Sequence, residues 1–192
     1  VVSALTKDLV NLFGDKIGIH PHNDSELGVA NALASVEAGA MHIQGTINGF
    51  GERCGNANLT SIIPNLLLKM DLDCIPIDNL PRLKEVSDFV YEMANVIPFN
   101  KDPFVGNSAF AHKAGMHVDG VRKNAKSFEH IEPSSVGNDR HILISELSGT
   151  SNIFMKTQEM GLEVDRSSPE VKEILAELER LEKVGYEFEA AD

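Results

Sequence analysis

The feature that most constrains the fold is the way the hydrophobic period switches back and forth over the first seventy or so residues. Val1, Val2, Leu5, Leu9, Val10, Leu12 and Phe13 recur at helical spacing up to Gly14, which predicts an amphipathic helix. A short strand is predicted over 16–22, where Ile17 and Ile19 alternate with small residues. LGVANALASVE over 27–37 is an Ala-rich helical pattern that stops at Gly39, and a second strand is predicted over 41–47. Glycines at 45, 49, 51 and 55 make the next stretch a loop, and Leu59, Ile62, Ile63, Leu66, Leu67 and Met70 form another helical stripe. This order implies α/β architecture with parallel strands and crossover helices, in an open doubly wound sheet or a (β/α) barrel. Two strands close neither. Pro64 costs about 3 kcal/mol in a regular helix interior, so a kink or a late helix start is expected there.

After Met70 the alternation ends. DLDCIPIDNLP reads as a linker into a helix carrying Leu83, Val86, Phe89, Val90 and Met93. Farther on, Ser168 and Pro169 resemble an N-cap and N1 pair ahead of Val171, Ile174, Leu175, Leu178 and Leu181, a stripe that stops before Gly185. The pattern separates 1–71 from a mostly helical remainder, which the resemblance drawn below would divide into 72–130 and 131–192.

With 192 residues, 42% of them hydrophobic, the chain can bury a sizeable core, which excludes disorder. Seventeen basic against 29 acidic residues leave a net charge of −12, which repels a phosphate backbone and argues against nucleic acid as a partner. No apolar run approaches the roughly 20 residues that span a bilayer, so no membrane role is expected. Cys54 and Cys74 form no CxxC pair, which suits a reducing cytoplasm. The sequence opens without Met on what reads as a helix already in progress, so a piece of a longer protein is expected.

Three segments carry chemistry. In GIHPHND, residues 18–24, His20 and His22 lie two apart at the end of a predicted strand, so period two puts both imidazoles on one face. Two neutral imidazoles there supply half of a divalent metal site, which a carboxylate or amide must complete; hydrogen-bonded loop histidines are the plainer reading. Asn23 and Asp24 read as turn or helix-cap residues. In NGFGERCGNANL, residues 48–59, Gly49, Gly51 and Gly55 could bring Glu52, Arg53 and Asn56 towards a ligand, although the spacing is no phosphate-binding signature. The plainer alternative is a tight loop with Glu52 and Arg53 as a surface pair. In NSAFAHKAGMHVDG, residues 107–120, His112 and His117 sit among small residues with no obvious strand, as candidate proton carriers or as backbone-bonded histidines. Cys54 reads as a packed thiol rather than a nucleophile.

Taken in order, these segments resemble the acyl-CoA-dependent 2-isopropylmalate, citramalate and homocitrate synthases, a family of metal-dependent (β/α) barrel enzymes. GIHPHND is similar to the family's seventh-strand metal motif, QGTINGFGERCGN to its eighth-strand signature, and AFAHKAGMHVDG to the segment that follows the barrel. FEHIEPSSVGNDRHILISELSGTSNI and the closing GYEFEA most resemble the citramalate synthase branch. The resemblance implies the last two strands of a TIM barrel followed by mostly helical subdomains. It also implies a Claisen-type condensation of acetyl-CoA with a 2-oxo acid, pyruvate or 2-oxoisovalerate, and then thioester hydrolysis. A divalent ion, Zn²⁺, Mn²⁺ or Mg²⁺, would be held by His20 and His22 with Asn56 at or beside it; Glu52 and Arg53 would organise that shell. His117 matches the family's catalytic histidine, supplied across a homodimer interface.

The sequence departs from the family pattern in definite ways. Nothing matches the first-strand Asp-Arg-Glu motif or the mid-barrel catalytic glutamate; both are expected in a missing N-terminal barrel portion, so the chain is expected to be inactive alone. Phe128 stands where some relatives place a tyrosine that assists catalysis. The chain stops near where a regulatory domain would begin, so feedback control is expected to be missing from it. The alternatives are a non-catalytic dimerisation or metal-binding module, and a lyase of the same barrel superfamily.

Overall fold

The computed structural model describes residues 1–112, 115–142 and 169–186. These fall into two compact units, one of Val1–Ala109 with Pro133–Asn138 and one of Phe110–Glu132 with Asp139–Asp192, so the first unit runs well past residue 71.

In the first unit, α1 (Val2–Phe13), β1 (Gly18–Ile19), α2 (Gly28–Glu37) and β2 (His42–Ile43) follow the expected alternation. The strands pair in parallel, Gly18 opposite His42 and Ile19 opposite Ile43, with α2 as the crossover. Each strand is far shorter than expected, for a local reason. The ladder is carried on by Met41 N–H to the Ile17 carbonyl and Gln44 N–H to the Ile19 carbonyl, both 2.9 Å. It ends where Pro21 has no N–H to donate and where Thr46 turns to pair with Ala57 and Asn58 instead.

The core lies between α2 and α3 (Leu59–Lys69), where Ala32, Ala57, Ile62 and Leu66 are buried and Val29, Leu33, Val36, Ile43 and Leu59 pack around them. Burying Ile62 alone is worth about 1.5–3 kcal/mol. The Asn58 carboxamide caps α3, accepting from the Thr60 N–H at 3.0 Å and the Thr60 hydroxyl at 2.8 Å. Pro64 is buried inside a helix that starts at Leu59, so the late-start reading is set aside.

The expected linker contains a 3₁₀ turn, Ile77–Arg82, leading into α4 (Leu83–Ala94). Only part of the apolar stripe of α4 is buried, with Leu83 inside and Val86 and Val90 half-buried. Leu83, Ser87 and Tyr91 are buried, whereas Phe89 and Met93 are 58% and 69% exposed. Polar partners select the face. The Ser87 hydroxyl donates to Asn48 Oδ1 at 2.6 Å, and Asn48 Nδ2 donates back to the Ser87 carbonyl at 2.9 Å. The Tyr91 ring meets Phe50 edge to face at 5.6 Å, and its hydroxyl donates to Asp102 at 2.5 Å. Burial, with the Asp102 carboxylate beside it, pushes the Tyr91 phenol up to about 12.

The second unit contains β3 (Ala111–His112), α5 (Gly115–Lys123), β4 (His141–Ile142) and α6 (Pro169–Glu182). β3 and β4 pair in parallel, Ala111 with His141 and His112 with Ile142, although no strand was expected in 107–120. A two-residue strand leaves too little alternation to be seen in sequence. The Ser168 cap, the branch-specific run from 143 onward and the closing GYEFEA after Tyr186 lie outside the described residues. Among the described residues no helix is long and apolar enough to cross a membrane.

Candidate active site

The HPHND segment leaves β1 and is stitched to the glycine loop by its backbone. Asn23 N–H donates to the Gly55 carbonyl at 2.9 Å, and Ala57 N–H to the Pro21 carbonyl at 3.0 Å. Between these bonds His22 and Asn56 form an isolated antiparallel bridge, and directly opposite residues of such a pair carry their side chains on one face. Asn23 serves as a turn residue, its carbonyl accepting from the Glu26 N–H at 2.8 Å, and its Oδ1 also accepts from the Gly28 N–H at 3.0 Å, although Leu27 is the N-cap residue of α2.

His20 and His22 are brought together, their ring centroids 5.3 Å apart and nearly edge-on. His20 Nδ1 donates to Gln44 Oε1 at 3.2 Å, which fixes the tautomer with the Nε2 lone pair available to a ligand. Gln44 was not singled out in the sequence. It follows β2 by one residue, and only the parallel register sets it beside His20.

Asn56 is oriented just as firmly. Its Nδ2 donates to the Phe50 carbonyl at 3.0 Å, so the carboxamide presents Oδ1 as its acceptor. Gly51 makes room for this amide, since a Cβ at that position would collide with Asn56 Nδ2 and lie 2.9 Å from Cγ. The consequence is a pair of buried side-chain atoms with no hydrogen-bond partner, His22 Nδ1 and Asn56 Oδ1, on residues that face each other across the bridge. Buried polar atoms are rarely left unpaired, and these two are of the kinds that ligate a divalent cation.

Arg53, held at φ 58, does not pair mainly with Glu52. Its Nε and Nη2 donate to the two carboxylate oxygens of Asp24 at 2.7 and 2.9 Å, while Glu52 is 87% exposed and only within 3.8 Å of the guanidinium. The hydrogen bond from Arg53 holds Asp24 below the usual carboxylate range against the opposing effect of burial, and His22 adds a smaller attraction. Asp24 is thus committed to Arg53. Cys54 is exposed, which corrects the expectation of a packed thiol; it sits in a turn between Arg53 at φ 58 and Gly55 at φ 92.

His117 lies in the second unit, on α5, exposed, with its ring 4.8 Å from that of Phe128. His112 is not an exposed proton carrier: its Nε2 donates to Glu129 Oε1 at 2.9 Å, with the His112 side chain 10% and the Glu129 side chain 2% exposed. Arg140 completes the cluster, its Nε and Nη2 donating to Glu129 Oε1 and Oε2 at 2.7 and 2.5 Å. Burial pushes the Glu129 carboxyl up, but the hydrogen bonds from Arg140 and His112 outweigh it and hold the group below the usual range.

His20, His22 and Asn56 therefore fit a divalent metal, with two imidazoles, an amide oxygen and two orphaned buried atoms among them. Among the described residues no third histidine, cysteine or carboxylate joins them. They make up part of a coordination shell.

A parallel βαβ unit with a histidine pair leaving its first strand defines a class. Residues 3–90 match the HMGL-like family, and residues 104–185 match the family described as homocitrate synthase post-HMGL domain-like. The chain belongs to the 2-isopropylmalate, citramalate and homocitrate synthase family. It is 54% identical to an (R)-citramalate synthase of Aquifex aeolicus and 52% identical to one of Synechocystis sp., over 98% and 92% of this chain and 36% and 32% of those relatives. A 2-isopropylmalate synthase of Sulfolobus acidocaldarius is 38% identical over 98% of this chain and 48% of its own length. The chain thus spans about a third of the citramalate synthases that it matches.

Proposed function

We propose that this chain is part of an acyl-CoA-dependent synthase that condenses acetyl-CoA with a 2-oxo acid, pyruvate giving citramalate. The observation that carries the proposal is the orphaned, buried pair His22 Nδ1 and Asn56 Oδ1 beside His20, inside a segment that matches the HMGL-like family. Identities of 54% and 52% to (R)-citramalate synthases favour pyruvate over the 2-oxoisovalerate used to make 2-isopropylmalate. Residues 1–71 are read as the closing part of a TIM barrel, 72–130 as the linker and first following subdomain, and 131–192 as the second, in a cytoplasmic homodimer. An apolar groove of about 370 Å³ supports the barrel reading. It is lined by Val36, Met41, Ile43, Leu59, Ile63 and Leu72, and among the described residues β2 is paired along one side only, by β1.

His20 and His22 would hold the metal with Asn56 Oδ1 beside them, and a divalent ion there supplies Lewis-acid polarisation of the ketone. Arg53, braced by Asp24, and Glu52 organise the loop that carries Asn56. His117 is the acid or base that moves a proton at its imidazole nitrogen. The methyl group of acetyl-CoA gives up a proton, and the carbanion forms a C–C bond to the ketone carbon. The resulting alkoxide is protonated, and water then cleaves the thioester to release the acid and the CoA thiol.

The test is thiol release from acetyl-CoA, with pyruvate or 2-oxoisovalerate, by this chain alone and by the chain joined to a family N-terminal barrel portion. Activity is expected only from the joined protein, and His20→Ala should lower it about 10³-fold, as expected for the loss of a charge-stabilising group. A joined, folded protein that binds a divalent ion but releases no thiol would favour the non-catalytic module; cleavage of a preformed acyl-CoA product would favour a lyase.

A further inference from the structure

We propose that Glu129, clamped by His112 and Arg140, is a positioning residue whose role is to hold Phe128 against the His117 imidazole. The inference rests on the reading of His117 as proton carrier for its meaning, but not for its test. The path begins in the backbone. After α5 the chain reverses through Asn124, whose N–H donates to the Gly120 carbonyl at 2.9 Å, and a 3₁₀ turn, Ala125–Ser127. The N–H groups of Phe128 and Glu129 then both donate to the Ala125 carbonyl, at 3.0 and 2.9 Å. That reversal carries the Phe128 ring back onto α5, where only a glycine leaves space: a Cβ at Gly120 would collide with the Phe128 ring. The ring then lies 4.8 Å from that of His117, tilted by 36°.

Such a turn alone does not fix a ring that is 45% exposed. The next residue does. Parallel pairing of β3 with β4 sets His112 and Arg140 around one point, and the buried Glu129 carboxylate fills it with three charge-assisted hydrogen bonds. Because Phe128 and Glu129 are adjacent, the clamp on one limits the excursions of the other. Phe128 therefore serves as an apolar wall that restricts the rotamers of an otherwise exposed imidazole, and an oriented proton carrier is worth more than a free one.

Proton NMR of the 192-residue chain reads this directly, with the His117 signals assigned by their absence in His117→Gln. The ring protons of His117 are expected to be displaced by the Phe128 ring current and to move to exposed-histidine positions in Phe128→Leu. Glu129→Gln, which keeps shape but weakens the clamp, should shrink the displacement, and so should Arg140→Lys, which loses the bidentate fork while keeping the charge. Undisplaced His117 signals in the parent chain, or a displacement untouched in a folded Glu129→Gln chain, would overturn the proposal. Full activity of His117→Gln in the joined protein would instead sink the proton-transfer reading and leave the positioning intact.

Discussion

The two histidine clusters of this chain differ in what they leave unpaired. Around His22 and Asn56 the flanking backbone bonds join the two segments and the Asn56 amide is held, yet two buried side-chain atoms have no partner. Around Glu129 the deeply buried carboxylate is saturated by His112 and Arg140. An unsatisfied buried polar atom costs roughly 1–3 kcal/mol, so a fold that keeps two of them in a rigid loop points to a ligand. A saturated cluster points to a scaffold. The contrast separates histidines that sequence alone treats alike: His20 and His22 are candidates to hold something, whereas His112 is occupied in holding the chain itself.

The sharpest way to break this contrast is to exchange the losses. In the joined protein, His117→Ala is expected to lower turnover by about 10²–10⁴-fold, the usual worth of a general acid or base, with divalent-ion affinity unchanged. His22→Ala should remove ion binding, measured by calorimetry with Mn²⁺ or Zn²⁺. Parallel losses of binding and turnover in both variants would mean that His117 and the His22 site are not functionally distinct. A smaller effect is expected at Gly51→Ala, whose Cβ must displace the Asn56 amide; ion affinity should fall about 10–100-fold, the range for groups that orient ligands. Unchanged affinity would remove Asn56 from the site.

Much of this was legible in the sequence because periodicity reports burial. The boundaries of α1, α2 and α3 follow from Gly14, Gly39 and the 59–70 stripe, and the HxH spacing alone brings two imidazoles together. What stayed hidden depends on register or on distant pairing. Gln44 reaches His20 only through the parallel alignment of β1 with β2, and Arg53 finds Asp24 rather than its neighbour Glu52. On α4 the pattern suggested an inward apolar stripe, but Ser87 and Tyr91 turn inward because Asn48, Phe50 and Asp102 receive them. Two-residue strands such as β3 carry too little alternation to announce themselves, so the Glu129 clamp that they frame could not be read from composition or spacing.

The smallest effect expected is a pH dependence of the second cluster. Arg140 and His112 face Glu129 directly, and Glu132 lies beyond Arg140 at 3.5 Å. These partners hold the Glu129 carboxyl below the value that it would take in the unfolded chain, near 4.3. Between those two values the unfolded chain binds more protons than the folded one, so stability rises with pH there. The contribution is complete above the ordinary glutamate range and is lost as pH falls through it towards the depressed folded value. Amide exchange or thermal melting followed from pH 6 to about pH 3 should show the second unit loosening in the parent chain and a flatter profile in Glu129→Gln. Identical acid profiles for the parent chain and Glu129→Gln would show that the clamp contributes no net stability, as buried ion pairs often fail to do once the cost of desolvation is met. Its worth would then lie in orientation alone, which the His117 ring signals would still report.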